Sequence, residues 1–69
     1  MVISQTKLYE ALELKYQAEI VKAKANLEVY FNNSVGVGEH PDIVEAMDMQ
    51  VDKLAQAKDK LEALKELTI

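Results

Sequence analysis

The apolar residues of this chain recur at helical spacing on either side of one polar interruption. In the C-terminal half, Ile43, Met47, Gln50, Leu54, Ala57, Leu61 and Leu64 are separated by 4, 3, 4, 3, 4 and 3 residues. That alternation is the a/d seam of a helix packed along another helix. Val44 and Val51 widen it. Gln50 is its one polar member: it either fixes the register of the pairing or carries its amide out to the edge of the seam. In the N-terminal half, Tyr9, Leu12, Tyr16, Ile20, Ala23, Leu27, Tyr30 and Phe31 form a corresponding stripe. Its spacings from Tyr9 to Tyr30 are 3, 4, 4, 3, 4 and 3, nearer an eleven-residue repeat than a strict heptad, which predicts a helix with little left-handed supercoil. The seam between the helices is expected to hold Leu12, Tyr16, Ile20 and Leu27 against Met47, Leu54, Leu61 and Leu64.

The first helix carries a second stripe. Leu14, Ala18, Val21, Ala25 and Val29, with Leu8 and Ala11 at the margin, fall roughly opposite the first stripe at about 100° per residue. Charged and amide side chains fill the two flanks between them, Glu10, Gln17, Lys24 and Glu28 on one side and Lys15, Glu19, Lys22 and Asn26 on the other. A helix that is apolar on one face is satisfied by one neighbour; a helix apolar on two faces is sandwiched. This chain supplies only one other helix, so the second face calls for another copy or another protein. The plainer reading is that Ala18 and Ala25 are surface helix formers, with only Leu14, Val21 and Val29 projecting.

Chain punctuation is confined to residues 32–42, which contain both glycines, the only proline and the run Asn32-Asn33-Ser34. The expectation is a single domain over residues 1–69, with a helix from about 4 to 31, a loop from about 32 to 41 and a helix from about 42 to 67. Ser4 or Thr6 caps the first helix. Asn32 and Asn33 stop it, since Asn tolerates a left-handed backbone. Pro41 or Asp42 opens the second helix, with Glu45 at capping-box distance from Asp42. A short loop between two long helices makes the fold an all-α antiparallel hairpin, and the unpartnered stripe makes a dimer with four bundled helices the expected assembly.

Composition sharpens this picture. A 69-residue chain buries little of its surface and needs a supplement. With no cysteine and one histidine, disulfides and thiolate sites are excluded, and oligomerisation remains. The net charge is −4, carried against eight lysines and no arginine, which is poorly suited to holding phosphate backbones, so no direct nucleic-acid binding is expected. No apolar run approaches the ~20 residues that span a bilayer. Met1-Val2-Ile3-Ser4 lacks the basic and apolar regions of a secretory signal, so a cytoplasmic location is the expectation.

The candidate chemistry is thin. Gly36-Val37-Gly38-Glu39-His40-Pro41 lacks the third glycine, the Gly-Lys-Ser/Thr sequence and the preceding strand of a phosphate-binding loop. Glu39, His40, Asp42 and Glu45 could ligate a divalent ion, but the carboxylates equally serve the positive end of a helix. Carboxylate pairs such as Glu10 with Glu13, or Glu62 with Glu66, read as solvated faces. Tyr9, Tyr16 and Tyr30 share one stripe and read as packing anchors. No catalytic residue, cofactor or metal is expected. Acidic mimicry of nucleic acid would need carboxylates arrayed along one face, and the lysines that interleave with them argue against it.

The segment Val29-Tyr30-Phe31-Asn32-Asn33-Ser34-Val35-Gly36-Val37-Gly38-Glu39-His40-Pro41, together with Lys7-Leu8-Tyr9 and Asp59-Lys60-Leu61-Glu62, resembles small uncharacterised proteins encoded by tailed bacteriophages of marine cyanobacteria. The resemblance implies a phage source and a host-cell cytoplasmic setting, and no activity. The expected function is that of a small, non-enzymatic, oligomeric interaction protein. The alternative is an accessory subunit of a replication, transcription or virion-assembly complex that meets a different protein through the same apolar face.

Overall fold

The computed structural model describes residues 6–32 and 42–67, and these form two helices, α1 (Lys7–Asn32) and α2 (Ile43–Lys65), with no strand among the described residues. The helices pack against each other along their length. Asn26, late in α1, meets Gln50, early in α2, while Glu19, further back in α1, faces Lys60, further on in α2. The pair is therefore antiparallel. It forms a rod of 55 × 14 × 13 Å.

Local sequence accounts for the ends. Thr6 caps α1: its Oγ1 accepts a hydrogen bond from the Tyr9 amide at 3.1 Å, satisfying one of the orphan N–H groups of the first turn. Ser4, the other candidate cap, lies outside the described residues. Thr6→Ala should lower stability by about 1 kcal/mol in thermal unfolding, while Thr6→Ser should hold it near the parent value. Equal loss in both variants would show that the hydroxyl is not the cap.

Asn32 does not act as the left-handed stop expected of it: it is the last helical residue, and no described residue has a positive φ. Asn33 and Pro41 lie outside the described residues. Asp42 occupies the N-cap position of α2, but its side chain makes no capping hydrogen bond, so the expected capping box with Glu45 is not formed. Glu45 still favours the start of α2 through its charge, as Lys65 favours the end. The last turn tightens, with Leu67 N donating to Leu64 O at 3.0 Å.

The core is narrow. Among the described residues, Tyr9, Ala23, Leu27, Ala57 and Leu64 are the buried apolar ones, and no large side chain is completely enclosed. The inward residues of α1 are Tyr9, Glu13, Tyr16, Ile20, Ala23, Leu27 and Tyr30, spaced 4, 3, 4, 3, 4 and 3. This corrects the eleven-residue pattern. Leu12 is 40 % exposed and stands on the flank, while the aliphatic stem of Glu13 takes the seam position. The reason is mutual: α2 keeps a strict heptad from Ile43 to Leu64, and two helices stay in register only if both follow the same repeat. Phe31 (71 % exposed) is displaced likewise, because Tyr30 takes the inward place beside it. Val44 and Val51 do not widen the seam of α2; both are exposed, rotated beyond its edge. Ile43, Met47, Leu54 and Leu61 are half-buried on it.

Two helices side by side leave each open over most of its circumference. The chain exposes 5433 Å², against about 4,400 Å² for a compact monomer of its mass.

Candidate interaction surface

The stripe opposite the seam lies open along the back of α1. Leu14, Val21 and Val29 are 56, 64 and 60 % exposed, and Ala18 and Ala25 between them are exposed as well. The alternation of a branched side chain with alanine places projecting residues beside low ones. Ala25, Glu28, Val29 and Asn32 enclose a shallow open depression. These four stand at i, i+3, i+4 and i+7, the set that forms the hole for a knob from a facing helix. Alanine at its floor lets an opposing side chain approach the backbone. Ala18, Val21, Lys22 and Ala25 repeat the same spacing one heptad earlier. The stripe itself carries no charged or nucleophilic side chain.

The two flanks of the hairpin differ. On one, a groove of about 250 Å³ runs between the helices, with Ala23 and Ala57 at its floor and Lys22, Lys53 and Lys60 along its sides. The groove exists because alanines face each other in mid-hairpin, 2 and 1 % exposed, where larger side chains would fill it. Asn26 Nδ2 donates to Gln50 Oε1 across it at 3.1 Å. Gln50 therefore neither sits inside the seam nor runs out to solvent; it joins the two helices at the groove edge. Within this groove Glu19 is hydrogen-bonded by Lys15, and that bond holds its carboxyl below the usual range against the opposing desolvation, with the charges of Lys15, Lys60 and Lys22 adding to it. The same bond raises Lys15, ahead of the Glu19 charge. Lys15 also stands over the Tyr16 ring, 5.9 Å from its centre. Lys15 is exposed and Glu19 half-exposed, so solvent screens the pair and it orders the surface rather than carrying the fold.

Other candidates are dispersed. Glu39 and His40 lie outside the described residues, and among the described residues no three His, Cys, Asp or Glu side chains gather to hold a metal. Glu10 pairs with Lys7 at 3.3 Å on an exposed turn, while Glu13 is drawn to the seam, so the two carboxylates do not act together. Tyr9 is buried, and Tyr16 and Tyr30 are half-buried along the seam. No helix among the described residues is long and apolar enough to cross a membrane.

One arrangement escaped the sequence reading. The carboxylates of α2 are sorted away from its lysines. Glu45, Asp52, Asp59 and Glu66 recur every seventh residue on its outer side, with Asp48 and Glu62 beside them, and all six are exposed. Lys53 and Lys60 form a parallel row toward the groove, and Lys58 and Lys65 lie toward the opposite flank. The interleaving of charges along the chain thus resolves into separate rows. The seven-residue interval was the available signal, but its sidedness depends on where α1 lies. No family model, curated protein or solved structure matches this chain.

Proposed function

We propose that this chain is a small helical interaction protein, without catalytic activity, that completes its core by pairing with a second copy through the back of α1. The observation that carries this reading is the open stripe of Leu14, Ala18, Val21, Ala25 and Val29, on the side of α1 turned away from α2. Its apolar surface is of the order of 400 Å², in the range of roughly 300–600 Å² of the largest patch on a typical monomer, which is often functional. Two such stripes face to face bury about 800 Å² of apolar surface, and the flanking polar side chains add the remainder that a specific interface of roughly 1,200 Å² needs.

A second copy is the favoured occupant because the stripe supplies both halves of the packing. Leu14, Val21 and Val29 are knobs, and the alanines between them leave holes of matching spacing. A two-fold axis then satisfies both copies with one surface. The result is a four-helix assembly with the two α1 helices innermost and the two α2 helices outermost. The resemblance carried by residues 29–41 supports a tailed-phage source and hence the host cytoplasm as its setting.

The test is the absolute molar mass in solution by light scattering over a concentration series. A dimer or larger species that dissociates on dilution is the expected result. A well-folded monomer at every concentration would reject self-association and leave a different protein as the occupant of the stripe.

A further inference from the structure

The α1 stripe leaves the lysine groove and the acidic side of α2 unused, and these two surfaces match each other. Among the described residues, Lys22, Lys53 and Lys60 form no ion pair; they act on Glu19 only at a distance. Lys53 and Lys60 are seven residues apart on α2, as Lys15 and Lys22 are on α1. The outer carboxylates Glu45, Asp52, Asp59 and Glu66 keep the same interval. At 1.5 Å per residue both rows repeat about every 10.5 Å along the rod. Among the described residues the outer carboxylates form no ion pair with Lys22, Lys53 or Lys60; Asp52 instead accepts a hydrogen bond from Gln56 Nε2 at 2.7 Å, at the border of the groove.

We propose that the lysine groove receives the acidic row of α2 from another copy of the chain, in a head-to-tail contact separate from the α1 pairing. One copy gives its groove and the other its ridge, so the contact is heterologous and need not close; repeated, it extends the assembly beyond a dimer. Ala23 and Ala57 at the groove floor give the entering carboxylates room beside Lys22, Lys53 and Lys60. Amides from Asn26, Gln50 and Gln56 border the same space.

Salt separates this contact from the α1 pairing. Exposed charges are screened within about 3 Å at 1 M salt and about 10 Å at 0.1 M. Apolar burial does not weaken with added salt. Lowering sodium chloride from about 0.5 M to about 0.02 M should therefore at least roughly double the mean mass in light scattering. The same salt-dependent step should persist in Val21→Glu chains, where the α1 pairing is removed, so failure of either contact is read independently.

Charge exchange tests the partners. Lys53→Glu/Lys60→Glu gives a chain whose groove and ridge are both acidic. Glu45→Lys/Asp52→Lys/Asp59→Lys/Glu66→Lys gives one whose outer row is basic like its groove. Each alone should lose the low-salt gain in mass, with helicity intact by circular dichroism. An equimolar mixture should regain it, because each groove then meets a ridge of opposite sign. A wild-type mass that does not change with salt overturns the proposal, whatever the variants do. So does a mixture of folded variants that stays at its high-salt mass.

Discussion

Val21→Glu turns the proposed assembly into helical monomers. Val21 is 64 % exposed in the single hairpin, so a carboxylate there meets water and does not disturb the α1–α2 seam. In the paired state it would sit against the alanines and valines of the facing helix with no cation provided for it. An isologous interface contains the substitution twice. At about 2 kcal/mol or more for each unpaired buried charge, Kd rises by roughly three orders of magnitude. Light scattering with parallel circular dichroism reads both consequences, mass and helicity. Val21→Ala, which removes contact without adding charge, should weaken the assembly much less. An unchanged mass in Val21→Glu, with helicity preserved, would remove the back of α1 from consideration as the interface.

Leu27→Ala has the largest effect on folding itself. Leu27 is 9 % exposed and lies on the seam between Ala23 and Tyr30. Truncating a buried leucine costs about 2–5 kcal/mol through lost transfer free energy and the cavity left behind. A hairpin of this size has about that much stability to lose. Far-UV circular dichroism should show loss of most helical signal, or a collapse of the unfolding midpoint. Val29→Ala, two residues on, provides the contrast. Val29 is 60 % exposed on the opposite face, so its loss should leave the seam intact and act on the molar mass. Both variants need measurement at one protein concentration, because assembly and folding are linked. Equal damage from the two would mean that the seam and the stripe are not separate surfaces.

Much of this architecture was legible in the sequence because helical order is local. The 4, 3, 4, 3 spacing of α2 needs no partner to be recognised, and Gly36, Gly38 and Pro41 leave one place for the chain to reverse. The second stripe of α1 was visible for the same reason: Leu14 and Val21 follow the helix period whether or not anything covers them. Where two neighbouring residues could both fill a seam position, periodicity gave the wrong one. Leu12 is the more apolar choice and Glu13 the observed one, because α2 imposes its heptad on α1 and the stem of Glu13 suffices there.

The charges show the boundary most clearly. The sequence determined which residues are charged and at what interval, since both follow from the order of the chain. It determined two helices, their polarity and the apolar back of α1. Only the tertiary structure decided that Lys22 of one helix joins Lys53 and Lys60 of the other around one groove, that Asn26 bonds Gln50, and that Ala23 meets Ala57 beneath them. The physical reason is that a helix fixes the angles among its own side chains, while the angle at which it turns toward a second helix is set by packing between the two.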